Sequence, residues 1–305
     1  MKDEVCAIGY RRLPQRGQRW APWPIARTAL ALAFRKRSVK MAAALTVFVV
    51  FMHAVVIVGQ VLVAEVASEG ADDDMMSFGA AMVTQVVGKV HGTLSTFIGV
   101  QLHATALLLA VAAAGLIAED RRTRAFELYF SRPLRPFDYA IGKALVPLVL
   151  SFATLVLPLV ALFMIALGIA PHAIADELWP LLAPGLLGAI ACAAVLSATL
   201  LGASAVGERG RTVGVAFVLG LGALGGFANG MAESGVRWAG YLGPLRDVQT
   251  VMDALLQAGS PGLIAMLDIR ESTNDSAWIS AAVLAAISAA GVLAVVLRLR
   301  KEVRG

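Results

Sequence analysis

Six long apolar runs constrain this chain more than any other feature. Each reaches the ~20 residues that a helix rising ~1.5 Å per residue needs to cross ~30 Å of hydrocarbon. Spans are expected at 41–64, 93–118, 144–169, 179–205, 212–231 and 277–298, and apart from Arg298 at the last position they hold no Asp, Glu, Lys or Arg. Soluble domains carry roughly 25% charged residues. Here only 15% of 305 residues are charged, 58% are hydrophobic and the mean hydropathy is +0.76. Such a composition cannot clothe a water-facing globule of this size. The expected fold class is an all-α membrane protein with six transmembrane helices in a domain over 41–298.

Charge sets the expected orientation. An even number of spans puts both termini on one side. The segments 1–40, 119–143, 206–211 and 298–305 hold 22 of the 26 Lys and Arg but only 8 of the 21 Asp and Glu. Basic loops stay in the cytoplasm, so both termini are expected there, with 1–40 a basic tail plus interfacial helix and 299–305 a short tail. From Trp23 to about Val39, Leu30, Ala33 and Phe34 fall on one side of a helix, and Arg27, Arg35, Lys36 and Arg37 are free to reach headgroups. The first 38 residues are basic, interrupted by Pro14, Pro22 and Pro24, and lack an apolar core. The first span, not a cleaved signal, is therefore the expected anchor. Cys6 in this tail and Cys192 in an apolar run are not expected to pair.

The opposite face carries two longer connections. In 65–92, acidic at its start, Met75, Phe78, Met82, Val86 and Val90 recur at helical spacing and predict a separate amphipathic helix. In 232–276, Leu245, Val248, Val251, Met252, Leu255 and Leu256 form a stripe that Gly259 and Pro261 should end. These helices read either as packed connectors or as a gate. Gly214, Gly222, Gly226 and Gly230 stand at multiples of four in the fifth span, a spacing that lets helix backbones approach closely, within one chain or between two.

Few residues offer chemistry. His53 and His103 are expected at a depth of roughly 15 Å, with Gln60 and Gln101 nearer the outer surface. They read either as helix-to-helix glue or as a translocation path. Gly142-Lys143 lacks the Ser or Thr and the leading Gly of a phosphate loop, and no pair of His stands at zinc-binding spacing. Gly202-Ala203-Ser204 looks like a nucleophile fragment, but no His follows position 172, and small-residue packing is the expectation. No catalytic residue, metal site or nucleic-acid partner is expected.

The connector between the second and third spans, 119–143, is the exception. Arg121, Arg122, Arg124, Arg132, Arg135 and Lys143 alternate with Glu119, Asp120, Glu127 and Asp138. Its first half, Glu119 to Ser131, lacks Pro and Gly and predicts a short helix, with Phe126, Leu128, Tyr129 and Phe130 near its end and Pro133 and Pro136 stopping it. The order Glu119-Asp120-Arg121-Arg122-Thr123-Arg124, Phe126-Glu127-Leu128, Ser131-Arg132-Pro133-Leu134, then Tyr139 and Gly142-Lys143, resembles the connector of ABC-2 type transporter permeases. Ala125 and Phe126 depart from that pattern at the step into the helix.

The resemblance implies the membrane-spanning subunit of an ATP-driven exporter in a bacterial inner membrane. It implies a second copy of the permease, surrounding lipid, and a separate ATPase that holds the ATP and magnesium. The coupling helix that meets the ATPase would be carried by Glu119, Arg121, Arg122, Thr123, Arg124, Phe126, Glu127, Tyr129, Arg132, Pro133, Gly142 and Lys143. Glu208, Arg209 and Arg211, in the short turn before the fifth span, would make a second contact. Alternatives are a stand-alone secondary transporter or channel, an intramembrane enzyme, or a membrane scaffold.

Overall fold

Every regular element is helical, and no strand occurs, among residues 22–69, 76–125, 136–258 and 273–304, which the computed structural model describes. Helix α1 (Pro22–Arg35) breaks at Lys36 and leads into α2 (Arg37–Glu69). Next come α3 (Met76–Ala112) and the short α4 (Ala118–Arg122). The third span joins α5 (Pro136–Ser151) to α6 (Leu157–Ile169) through one π-helical turn, Phe152–Val156. The rest is α7 (His172–Leu178), α8 (Leu182–Val206), α9 (Gly210–Glu233), α10 (Pro244–Leu255) and α11 (Ala277–Arg304).

Among the described residues, six stretches are long and apolar enough to cross a membrane: Arg37–Val63, Gln85–Ala112, Pro136–Ile169, Ile174–Val206, Gly210–Glu233 and Ala277–Glu302. The second is the central helix, enclosed by the others, with Leu94, Phe97, Ile98, Leu102 and Leu109 wholly buried. Around it the first span lies along the second, and the sixth lies along the fourth. The fourth and sixth meet through glycine: a Cβ on Gly202 would lie 2.6 Å from Gly291 Cα. The third span's turn has a plain cause. Pro158 has no N–H for the Thr154 carbonyl four residues back, and its ring crowds that carbonyl. The backbone loosens into a π turn, and Gln101 Nε2 of α3 donates to the freed Thr154 oxygen at 2.7 Å.

Three expectations change. The helix of the second span, α3, runs unbroken from Met76 through Gly88 and Gly92 and ends at Ala112, so it starts before 93 and stops short of 118. The separate amphipathic helix expected in 65–92 is therefore the first turns of α3, with Val86 and Val90 buried in the bundle; Met75 lies outside the described residues. The connector helix expected from Glu119 to Ser131 is interrupted after Arg122. Thr123 Oγ1 turns back onto the Glu119 carbonyl at 2.9 Å, and Arg124 takes a left-handed backbone, φ 54°. A hydroxyl competing for helix carbonyls, followed by a left-handed residue, ends a helix.

The stripe on α10 behaves as expected. Leu245, Val248, Met252 and Leu256 are buried, with Met252 and Leu255 lying over Gly188 of the fourth span. Gly259 and Pro261 lie outside the described residues. The interfacial helix α1 buries Ala26 and Ala33 and lies on the start of the third span, while Phe34 and its cations are exposed.

Candidate functional site

The connector's start gathers the ends of four spans into one charged rim. Ala113 to Ile117 unwind between α3 and α4. The freed N–H groups of Ile117 and Ala118 donate to Ser204 Oγ of the fourth span, at 3.1 and 3.3 Å. Buried donors need such acceptors. Ser204 thus ties the fourth span to the connector's start as an acceptor.

Asp120 is the next anchor. Its Oδ2 lies 2.7 Å from Lys143 Nζ and accepts the Tyr139 hydroxyl at 2.7 Å, both from the third span. The Lys143 side chain is only 7% exposed, and a cation this enclosed is stable when paired. Gly142 beside it lets α1 seat closely: a Cβ there would lie 2.9 Å from Ile25 Cβ. The Gly-Lys pair therefore docks α1 and neutralises Asp120.

Arg121 faces inward. Its Nη1 donates to the carbonyls of Ala205 and Gly207, each at 2.9 Å, and its Nε lies 3.7 Å from Glu302, which also meets Arg298 at 3.1 Å. The last carbonyls of the fourth span and the end of the sixth are thereby tied to the connector. Glu119 faces the fifth span, accepting the Gly210 N–H at 3.3 Å and pairing with Arg122 at 2.8 Å. The Arg122 guanidinium holds the Glu119 carboxyl below the usual range. Arg122, 61% exposed, and Arg124 face outward, as do Glu208, Arg209 and Arg211. Phe126, Glu127, Tyr129, Arg132 and Pro133 lie outside the described residues.

The intramembrane polar residues each meet a different partner. His53 Nδ1 donates to the Val49 carbonyl at 2.8 Å, and its ring meets Phe97 edge-on, centroids 5.3 Å apart. Gln60 Nε2 donates to Thr93 Oγ1 at 3.0 Å, joining the first two spans. Gln101 serves the π turn, and His103 faces the bundle's exterior with Nδ1 on the Gly99 carbonyl. Of the glycines in the fifth span, Gly214 meets the second, where a Cβ would lie 2.6 Å from the Ala110 oxygen. Gly222, Gly226 and Gly230 have open space before them among the described residues.

Sequence reasoning missed a polar cluster under α10. Arg246 Nε donates to Asn274 Oδ1 at 2.6 Å, and its Nη1 to Asn229 Oδ1 at 3.0 Å. Asn274 Nδ2 donates to Asp247 Oδ1 at 2.7 Å. Gln249 Nε2 donates to Ser95 Oγ at 2.7 Å, and Ser95 donates to Asp253. The signal was present: Arg246, Asp247, Gln249 and Thr250 lie opposite the apolar stripe, and a helix buried on both faces needs partners for its polar one.

Neither the family models nor the curated proteins compared with the chain give a match. The helices themselves define the class, a multi-pass membrane protein. Among the described residues no group of three His, Cys, Asp or Glu is placed to hold a metal.

Proposed function

We infer that this chain is the permease subunit of an ATP-driven exporter, moved by a separate ATPase that grips the connector after the second span. The observation that carries the reading is the rim. Asp120 holds the third span, Arg121 the fourth and sixth, and Glu119 the fifth. A push on the connector is passed to four spans at once, as a lever requires. Residues that bind within the rim leave Arg122 and Arg124 outward for a partner. The order of residues from Glu119 to Lys143, which resembles that of ABC-2 permeases, adds to the reading. The basic rim then faces the cytoplasm, and the protein works as a pair with a second copy or a close relative.

The test is purification from native membranes through a tag on the chain, followed by an ATP hydrolysis assay. The wild type is expected to carry ATPase activity that Arg124→Glu or Glu127→Lys removes while the chain stays folded. Transport by the purified chain driven by an ion gradient without ATP would overturn the reading.

A further inference from the structure

A cavity of about 1210 Å³ opens beside the rim, between the second and fifth spans and the first turn of α2. Ligand sites commonly occupy roughly 300–1,000 Å³, so this one has room for an amphiphile. Its floor is where Gly214 of the fifth span touches Ala110 of the second, and Gly210 touches Gly115 in the turn that follows it. Its walls are apolar, with Leu107 and Val111 on one side and Val215 and Leu219 on the other. Leu107, Val215 and Leu219 are exposed, so the hollow continues onto the bundle surface that meets the lipid.

The mouth is cationic. Lys36, Arg122, Arg209 and Arg211 line it with a single carboxylate, Glu119, which is already occupied by Arg122 and the Gly210 N–H. Among the described residues no carboxylate forms an ion pair with Arg209 or Arg211, and Lys36 feels the Glu119 charge without an ion pair to it. Arginine and lysine at the edge of an apolar slot suit a phosphate headgroup whose chain lies along the wall. A zwitterionic headgroup would bring a cation of its own to that mouth, and a free phosphate would leave the apolar walls unfilled. We propose that this cleft binds an anionic phospholipid from the leaflet at the basic rim, its headgroup on Lys36, Arg209 and Arg211 and its acyl chain between the second and fifth spans. The site rests on the transport reading only for its role, which is then entry of an acidic amphiphile as cargo. Binding itself requires neither motor nor ATP.

The experiment is native mass spectrometry of the detergent-purified full chain with short-chain phosphatidylglycerol, phosphatidylcholine of the same chains, or inorganic phosphate. Phosphatidylglycerol is expected to bind saturably and about tenfold more tightly than phosphatidylcholine, a preference that Arg209→Gln with Arg211→Gln erases and Arg209→Lys with Arg211→Lys keeps. Val215→Trp, which fills the slot, should weaken both lipids about fivefold or more, whereas Leu293→Trp on the exposed face of the sixth span should weaken neither. Lys36→Gln serves as a second charge variant should the double variant fail to fold. Equal binding of the two lipids, displacement of lipid by phosphate alone, or equal effects of Val215→Trp and Leu293→Trp would each overturn the proposal. So would loss of a second copy, with lipid retained, on Val215→Trp. Failure of the ATPase assay with these lipid results intact would remove the transport role and leave the site.

Discussion

Asp247 shows what a single buried carboxyl implies. Burial pushes it up to about 6, against the pull of the hydrogen bonds from Ser280 and Asn274 and the nearby Arg246 guanidinium. Its Oδ2 is buried without a hydrogen-bond partner, the environment that favours a protonated acid. The folded chain therefore holds this proton more tightly than the unfolded chain, where the carboxyl titrates near 3.9. Stability then falls as pH rises from about 4 to about 6, by about 1 kcal/mol between pH 5 and 7. Thermal unfolding in detergent should show a higher midpoint at pH 5, and Asp247→Asn should flatten that contribution. A second residue-scale test concerns Gln101. Gln101→Leu strips the Thr154 carbonyl of its donor and should cost about 1–2 kcal/mol. Pro158→Ala restores a backbone N–H there, so in that background the same change should cost less, a coupling that a double-mutant cycle reads directly. His53 and Gln60 were legible in the sequence as polar groups at depth. Which groups they meet across the bundle was not, because Thr93, bonded by Gln60, and Phe97, packed on His53, lie on another helix.

At the scale of elements, glycine separates contacts within the chain from open surface. Gly202→Ala pushes a methyl group into the Gly291 backbone, where nothing can rotate away, and should destabilise the bundle by about 1–3 kcal/mol. Gly226→Ala meets nothing among the described residues and should leave the monomer's unfolding midpoint unchanged. If Gly226→Ala instead costs as much as Gly202→Ala, the bundle closes differently from the arrangement described. The glycine spacing in the fifth span was legible, yet period alone could not say that only Gly214 of the four meets a neighbour. The spans were legible because an apolar run of this length has one stable solution in lipid. Their ends were not: Lys89 and His91 look like a connection, while the chain carries them within α3. The connector's helix is interrupted after Arg122 for a local reason, the Thr123 hydroxyl and the left-handed Arg124, that the absence of Pro and Gly concealed.

For the whole molecule, the proposal joins two neighbouring features on one face. The rim ties the connector to four spans, and the cleft beside it opens between the second and fifth. Movement of the connector would then reshape the cleft, since Glu119 and Gly210 belong to both. The most direct test of this account is photo-crosslinking in intact cells from a benzophenone side chain placed at Glu127. The account predicts an adduct with a nucleotide-hydrolysing protein, lost when Arg124→Glu is added. An adduct with lipid alone, or modification of position 127 by a membrane-impermeant reagent added outside the cell, would contradict it.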